Sequence, residues 1–390
     1  MPGALIDLSV AARLGLREAG RALRGLREPE PDLDAFESEL ERALAALPAG
    51  VVAERAWIRL PASEPPWRDT GIALQAGEEA SVFATGRAYL SRPLDIFVSP
   101  KTQLWARIGE RGIIRSSSRD TNTLRANEPG ALYLGNYFPN DWRDTSGARL
   151  QSDSVYAGAQ GQMRVCVVRW RGAAADGLAA LARAGDPLGV ASSERERLGR
   201  GDPAPPGWRY LWHLGDAEIF RPAADPQGVA ALACDVCGDV GILQREAPFA
   251  LRPGTELTWR WRVDALPGLV REDSVPSHDY LSLAVEFANG LDLTYYWSKE
   301  LPVGTAFWCP LPNWKHREFH VVQRSGSDGL GTWQDERRDL HADALKYFGA
   351  HPGDVVRVWL IAVSVFKRQR GQCAYSGIEL RSGGEKLAVL

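Results

Sequence analysis

The sequence lacks any long hydrophobic run. No stretch approaches the roughly 18 uninterrupted apolar residues that a membrane-spanning helix needs. The N-terminus also lacks the basic, apolar and small-residue pattern of a secretory signal. These two absences argue against integral membrane association and lead us to expect a cytoplasmic protein.

Cysteine is scarce, with five residues in a chain of 390. An odd number at irregular spacing does not make a disulfide framework, so reduced thiols are expected. Cys234 and Cys237 have the spacing of a metal-binding pair, but a structural zinc site needs four ligands and no second suitable pair accompanies them. We therefore favour thiols without a metal role over zinc at this pair.

An excess of basic residues is also missing, because 46 Lys and Arg stand against 49 Asp and Glu and the formal net charge is −3. A protein that binds the phosphate backbone needs a clear surplus of positive charge. Nucleic acid is therefore not an expected partner, which leaves a small-molecule or carbohydrate ligand. The oligomeric state is left open by the sequence.

The length of the chain exceeds the size at which a single core grows efficiently, so two domains are expected. Within residues 1–50, apolar residues at steps of three and four over 4–28 and again over 32–47 predict a short helical hairpin. The first helix is rich in arginine and could lie on an anionic membrane. Because its apolar stripe is narrow and Glu18 and Glu28 interrupt its basic face, packing on the protein itself is favoured.

Residues 51–175 change to short apolar runs separated by Gly, Pro and Asn, which predicts an antiparallel β-sandwich. Its motifs, in order, are Ala84-Thr-Gly86-Arg-Ala88, Leu104-Trp-Ala-Arg-Ile108-Gly109-Glu-Arg-Gly112, Asp120-Thr121 and Leu134-Gly-Asn136-Tyr-Phe-Pro139-Asn-Asp-Trp-Arg-Asp144-Thr-Ser146-Gly147. On these motifs the segment resembles the galactophilic lectins of bacteria, small jelly rolls that bind galactose through a calcium ion. Asn136 and Trp142 are the candidate ligand-binding residues here.

The resemblance also implies a metal loop, which in the family begins with Asn-Asp and ends with paired asparagines before Ser-Gly. This chain has Asn136-Tyr137 and Asp144-Thr145 at those places. Calcium takes about six to eight oxygen ligands, and Asp141 and Asp144 could restore the lost charge, so calcium at these two residues is the possible cofactor. Alternatively, the loop closes the sandwich edge, with Asp144 and Thr145 in local turn hydrogen bonds.

Residues 176–206 combine a short helical pattern with a Gly-, Asp- and Pro-rich run, which predicts a linker. In residues 207–390, apolar and polar residues alternate strongly, and the run from Val355 to Phe366 is apolar on both faces, as in a central strand. We therefore expect a second antiparallel, jelly-roll-like β-sandwich, and a mainly β protein overall.

Four motifs characterise this second half: Trp259-Arg-Trp261-Arg-Val263-Asp264, His278-Asp279-Tyr280, Leu293-Thr-Tyr295-Tyr-Trp297-Ser298 and Arg324-Ser-Gly326-Ser-Asp-Gly329-Leu-Gly331. On them the region resembles a bacterial family known as domain of unknown function 3047. The resemblance implies a jelly roll similar to carbohydrate-binding and polysaccharide-lyase sandwiches. It implies no activity.

Titratable residues gather at His316-Arg-Glu318-Phe-His320, which on a strand would share one face. Three uses are open: acid/base catalysis by His320 with a carboxylate that orients it, a two-histidine and one-carboxylate metal site, or a solvated face without a role. The two histidines would be about 13 Å apart at roughly 3.3 Å per residue, so one metal ion bound by both would strain the strand. The candidate catalytic set is His320, Glu318, Asp279, His278 and Tyr295.

The 14 tryptophans suit either stacking on sugars or packing in a core. Trp259 and Trp261 are expected in the core, whereas Trp308 and Trp314 fit a loop over a ligand pocket. Binding of a carbohydrate or another polyhydroxylated ligand by tandem lectin-like sandwiches is the favoured function. The alternative is an enzyme of the lyase or hydrolase type, in which His320 and a carboxylate meet in a closed pocket instead of an open aromatic platform.

Overall fold

The computed structural model describes residues 7–64, 67–116, 119–138, 141–150, 152–186, 188–201 and 204–390. Pro139 of the lectin-like motif lies outside them. The chain divides into two compact units. We call Glu18–Pro203 with Trp212–Gly215 the lectin-like unit, and Met1–Arg17, Ala204–Leu211 and Asp216–Leu390 the C-terminal unit. Both are mainly β, as the sequence predicts.

The lectin-like unit contains two antiparallel sheets. The larger consists of β1 (Val52–Pro61), β3 (Glu79–Ser91), β4 (Ile96–Val98), β7 (Thr121–Arg125) and β9 (Gln160–Trp170), ordered β1-β9-β3-β4 with β7 also paired to β3. The smaller consists of β2 (Arg68–Leu74), β5 (Leu104–Ile108), β6 (Arg115–Ser116) and β8 (Gly130–Asn136), ordered β2-β8-β5-β6. Alternate residues of both sheets, such as Val82, Val165 and Leu132, form one buried apolar core.

Helices cover the other face of the larger sheet. They are α2 (Leu33–Ala45), α4 (Ala174–Ala184) and α5 (Val190–Arg200); the short α3 (Pro100–Gln103) precedes β5. Helix α2 begins at Asp32, whose carboxylate accepts the N–H groups of the next turn. Phe36 and Leu178 pack in one cluster with Trp170 of β9. Residues 176–206 thus contain helices that belong to this unit, while the predicted domain boundaries stay a prediction.

Gly177 shows how closely α4 approaches the sheet, because a Cβ atom there would lie 2.2 Å from the Trp170 ring. Alanine normally favours a helix over glycine by about 1 kcal/mol, but the overlap should cost more. We expect Gly177→Ala to lower the free energy of unfolding by about 1–3 kcal/mol. In α5, Gly199 has nothing within 4 Å of such a Cβ, so Gly199→Ala should not destabilise. Equal effects of the two substitutions in denaturant titrations would contradict this packing.

The C-terminal unit also contains two sheets. The seven-stranded sheet, ordered β10-β13-β20-β15-β16-β18-β17, consists of β10 (Arg209–Tyr210), β13 (Val240–Phe249), β15 (Tyr280–Phe287), β16 (Asp292–Ser298), β17 (Ala306–Trp308), β18 (Glu318–Ser325) and β20 (Val355–Val363). The other, ordered β11-β12-β21-β14-β19 with β22 on β21, consists of β11 (Phe220–Ala224), β12 (Ala230–Val236), β14 (Glu256–Ala265), β19 (Trp333–Asp339), β21 (Gly371–Ser382) and β22 (Glu385–Ala388). Strands β16 and β18 are parallel, and the other pairs are antiparallel.

The alternation of the sequence explains the core of this unit. Trp259 and Trp261 of β14 are fully buried between the sheets, and β20 lies between β13 and β15, as its apolar pattern predicts. Helix α6 (Leu340–Phe348) begins at Asp339, which caps Ala342 N–H, and ends at Gly349 with φ 73°.

The first turns of α1 (Leu8–Leu23) pack on the C-terminal unit. Val10 and Leu14 are buried, and the Arg13 guanidinium lies 2.7 Å from the Glu300 carboxylate. These contacts agree with the preference for packing on the protein. In the part of the chain that the structure describes, we find no helix with the length and apolarity needed to cross a membrane.

Candidate functional site

A buried polar cluster lies on the seven-stranded sheet, on the face that points away from the core. Residues Leu293 and Phe319 face the core, so their neighbours Thr294 and His320 face the opposite way and stand side by side in the β16–β18 register. His278 lies two residues before the start of β15, and Cys309 immediately follows β17. The sheet order therefore brings together residues that are far apart in the sequence.

We call His278, Cys309, Glu318 and His320 the His–Cys–Glu cluster. Cys309 Sγ lies 3.4 Å from His278 Nε2, and Glu318 Oε1 lies 3.5 Å from His320 Nε2. Ligand atoms of the two histidines and the cysteine all lie within 4.8 Å of one another. All four side chains are buried.

Aromatic rings and hydroxyl groups enclose the cluster. The Phe307 ring stacks on the His320 imidazole with centroids 5.2 Å apart, and Tyr280 approaches the same imidazole edge-on at 5.0 Å. The Glu318 carboxylate accepts hydrogen bonds from Tyr280 Oη at 2.9 Å and Thr294 Oγ1 at 3.3 Å. The cluster is thus closed from solvent and held in one geometry.

The protonation of His278 follows from its contacts. Its Nδ1 lies 2.6 Å from the carbonyl oxygen of Glu272 and must donate to it, so Nε2 carries a free lone pair. Burial, with a contribution from His320, lowers the pKa of His278 to about 3. His278 is therefore a neutral imidazole whose Nε2 points toward Cys309.

The pKa values of the two acidic members of the cluster, Cys309 and Glu318, are shifted in opposite directions by their surroundings. Burial, reinforced by the Glu318 carboxylate, raises the pKa of the Cys309 thiol well above its ordinary value. Burial also tends to raise the pKa of Glu318, but the neighbouring His320 more than offsets this and the net pKa of Glu318 is lowered. Glu318 is therefore a buried carboxylate anion.

Other candidate catalytic residues lie elsewhere. Tyr295 is on the core side of β16, where its hydroxyl donates to Asp343 at 2.8 Å. Asp279 is fully buried, and its carboxylate accepts the backbone N–H groups of Phe366 and Lys367 at 2.9 and 2.6 Å. Burial raises the pKa of Asp279 to about 7. The structure brings His278, Glu318 and His320 together but not these two.

The prediction for His316 is wrong in one respect, because β18 begins at Glu318 and His316 lies exposed in the preceding turn. Trp308 and Trp314, which were expected in a loop over a ligand pocket, do not line an open pocket either. Trp314 is buried against Trp359, and Trp308, 42% exposed, packs edge-on against Phe319. Neither forms an open aromatic platform.

In the lectin-like unit, the predicted metal loop is tied to the protein. Asp141 is buried, and its Oδ2 accepts from Arg149 Nε at 2.9 Å and Tyr156 Oη at 2.8 Å. The exposed Asp144 accepts from the backbone N–H and the hydroxyl of Ser146, at 2.9 and 2.5 Å. These contacts correspond to the predicted alternative in which the loop closes an edge through local hydrogen bonds.

The two ligand-binding candidates of this unit are buried. Asn136 is 0% exposed, and its side-chain amide lies 3.4 Å from the carbonyl oxygen of Pro61. Trp142 packs among other aromatic rings, stacked on Trp67 at 5.9 Å and edge-on to Trp105 at 5.3 Å. The structure therefore places both in the packing beneath the surface.

A pocket of about 250 Å³ opens at the β5–β6 turn of the same unit. Its polar lining includes Arg107, Arg111, Arg115, Asn127 and Glu128, and its apolar lining includes Ile108, Ile113 and Leu124. None of these was a candidate in the sequence analysis, although residues 106–112 belong to the second lectin-like motif. The three arginines at positions 107, 111 and 115 were a signal that could have been used.

Comparison with known proteins gives one family match. Residues 215–379 match the family described as Protein of unknown function (DUF3047), which confirms the resemblance stated for the second half. No curated protein matches the chain.

Solved structures show low-identity likenesses. The structure of "EclA N-terminal domain; PllA-like lectin" is 18% identical, with 31% of this chain and 99% of that chain covered and a TM-score of 0.24. The xyloglucanase domain of NopAA from Sinorhizobium fredii is 8% identical, with coverages of 42% and 87% and a TM-score of 0.28. Carbohydrate-binding modules from the β-sandwich superfamily are 10% identical, with coverages of 86% and 100% and a TM-score of 0.25. These are likenesses in fold.

Proposed function

We propose that the lectin-like unit binds a carbohydrate or another polyhydroxylated ligand, and that this ligand carries an acidic group. The observation that supports the proposal is the pocket at the β5–β6 turn, which combines three arginines with an amide and a carboxylate. Guanidinium groups bind carboxylate and sulfate oxygens through paired hydrogen bonds, while Asn127 and Glu128 suit hydroxyl groups.

The geometry of Arg107 favours a fixed binding role. Its guanidinium carbon lies 4.6 Å from the Trp67 ring centroid and 5.2 Å from that of Tyr133. Its Nε is buried and makes no hydrogen bond to any residue that the structure describes. A charged group that is held by two rings loses little entropy on binding an anion through its other guanidinium nitrogens. At about 250 Å³, the pocket is at the small end of ligand sites and fits a single sugar ring.

Calcium is the cofactor that the family resemblance implies, and the residues of the loop fit it poorly. Asp141 gives one oxygen to Arg149 and Tyr156, and Asp144 gives one to Ser146. The two carboxylates thus leave few free oxygens for an ion that takes about six to eight. We therefore propose that the ligand is held directly by the pocket, without calcium.

Replacement of Arg115 by glutamine is expected to weaken binding of acidic glycans about 10-fold. One lost charge-assisted hydrogen bond contributes roughly 1.5–3 kcal/mol, and 1.4 kcal/mol corresponds to a factor of ten. The measurement is a glycan array of neutral and acidic sugars, with and without chelator, followed by titration of the best ligand. Binding of acidic members should persist in the chelator.

Arg171→Gln is the matched control, since Arg171 is an exposed arginine of the same unit that does not line the pocket. It should bind as the unaltered chain does. Binding that requires calcium, or an affinity that Arg115→Gln leaves unchanged, would contradict the proposed pocket.

An acid/base enzyme in the C-terminal unit is the second candidate, favoured by the approach of His320 Nε2 to Glu318 Oε1 at 3.5 Å. Both residues are buried, and Phe307 stacks on the His320 imidazole. A substrate would therefore have to displace Phe307 to reach them. Release of reducing ends from polysaccharides by the full chain tests this candidate.

A further inference from the structure

We propose that the His–Cys–Glu cluster is a binding site for a divalent transition-metal ion of the Zn²⁺ class, with His278 Nε2, Cys309 Sγ and His320 Nε2 as ligands and Glu318 as the fourth. This proposal is independent of the sugar pocket, because all four residues lie in the C-terminal unit. It also differs from the site considered from the sequence, which paired His316 with His320.

The distances in the cluster match a tetrahedral site. Ligands that bind zinc at about 2.0–2.3 Å lie roughly 3.3–3.6 Å from one another. The two closest contacts, Cys309 Sγ to His278 Nε2 at 3.4 Å and Glu318 Oε1 to His320 Nε2 at 3.5 Å, have the length of such edges. The remaining separations among the three nitrogen and sulfur atoms do not exceed 4.8 Å, which small rotations of the rings can shorten.

His278 is oriented as a metal-binding imidazole would be. His278 donates Nδ1–H to the Glu272 carbonyl, the outer contact that usually orients a metal-binding imidazole. Glu272 is itself fixed, because its carboxylate accepts from Ser298 Oγ and Lys299 N–H, each at 2.6 Å. The orientation of the His278 ring is therefore imposed from outside the cluster.

His320 supplies a second, separate observation. It is fully buried, and in the described part of the chain neither ring nitrogen meets the geometry of a hydrogen bond; Glu318 Oε1 lies 3.5 Å from Nε2. A buried imidazole without such a bond costs free energy comparable to a lost hydrogen bond, about 1–3 kcal/mol. Coordination to a metal ion would give Nε2 a partner and so remove the part of that cost that falls on this nitrogen.

The charges also balance. Two neutral imidazoles, one thiolate and one carboxylate carry a total charge of −2, which a divalent cation neutralises. The same cation favours the thiolate of Cys309, whose proton would otherwise be retained in this apolar surrounding. Nitrogen, sulfur and one carboxylate oxygen are ligands that zinc accepts, whereas calcium and magnesium prefer oxygen alone.

The test compares the metal content of the full chain and of two cysteine variants, purified from cells grown with zinc. The unaltered chain should contain about one equivalent of zinc by mass spectrometry. Cys309→Ser should lower the affinity for zinc at least about 10-fold, as measured by competition with a chelator of known affinity, since even loss of an outer partner costs 10-fold to 100-fold in affinity. Cys237→Ser is the control, because Cys237 is an exposed cysteine outside the cluster, and it should retain the metal.

Growth with cobalt in place of zinc gives a readout that identifies the ligand. A cobalt ion bound to Cys309 should show thiolate-to-cobalt absorption in the near ultraviolet in the unaltered chain and in Cys237→Ser, and none in Cys309→Ser. His278→Gln should weaken the band while leaving the thiol in place, and circular dichroism checks that each variant is folded. The absence of both zinc and the cobalt band from the unaltered chain, or a band that survives in Cys309→Ser, would overturn the site.

Discussion

Replacement of Asp279 by alanine is expected to lower the free energy of unfolding of the C-terminal unit by about 4 kcal/mol. The Asp279 carboxylate is fully buried and accepts the backbone N–H groups of Phe366 and Lys367. Each buried donor that loses its acceptor costs about 1–3 kcal/mol. Alanine supplies no acceptor, so both donors would be left without one. Denaturant titration followed by tryptophan fluorescence measures the change.

Two further variants test whether the loss of stability comes from the hydrogen bonds that Asp279 accepts, or whether any substitution in this unit destabilises it. Asp279→Asn keeps one acceptor oxygen and should lose about half as much free energy, roughly 2 kcal/mol. Asp335→Ala removes a side chain that is 83% exposed and loses only its surface ion pair with Arg260, so it should change stability by no more than about 1 kcal/mol. A loss below about 1 kcal/mol for Asp279→Ala would contradict the assignment of Asp279 as the anchor of the turn between β20 and β21.

The sequence predicted the core of the C-terminal unit well, because alternation is a local property. Trp259 and Trp261 alternate with charged residues along β14, so one face of that strand could be assigned to the interior directly. The same reasoning placed β20 in the middle of a sheet, since a strand that is apolar on both sides must be covered on both sides.

Alternation does not show what covers the second face of a sheet. Strand β16 alternates Leu293, Tyr295 and Trp297 with the polar Asp292, Thr294 and Ser298, which by itself suggests that the polar face meets water. In the structure every residue of β16 is buried. Tyr295 was grouped with His320, although it belongs to the apolar side of this alternation and lies on the opposite face of the sheet.

The His–Cys–Glu cluster depends on contacts that no local pattern encodes. The parallel pairing of β16 with β18 places His320 beside Thr294, and only this order brings Cys309 and His278 to the same end. The sequence identified both histidines and Glu318, but not Cys309. The pocket at the β5–β6 turn could not be predicted for the same reason. Its lining combines residues of that turn with Asn127 and Glu128, which follow β7.

Asp141→Ala is expected to lower the free energy of unfolding of the lectin-like unit by about 2–4 kcal/mol, in the presence of chelator as well as in its absence. Asp141 is buried and pairs with Arg149, whose guanidinium lies over the rings of Tyr137 and Tyr156 at 5.0 and 5.4 Å. Without the Asp141 carboxylate, Arg149 keeps only its ion pair with the exposed Asp153, and the Tyr156 hydroxyl loses its acceptor.

The dependence on calcium distinguishes this ion pair from a metal site. A calcium ligand would stabilise the native state only through bound ion, so the loss on substitution should vanish when a chelator removes the ion. An ion pair with Arg149 contributes equally with and without calcium, and Asp144→Ala, which alters only an exposed turn, should change stability by about 0.5 kcal/mol or less. Thermal melts of the unaltered chain, Asp141→Ala and Asp144→Ala, each with calcium and with chelator, distinguish the ion pair from a calcium ligand. If calcium raised the melting temperature of the unaltered chain but not that of Asp141→Ala, the Asp141 carboxylate would be a metal ligand and the ion-pair assignment would be wrong.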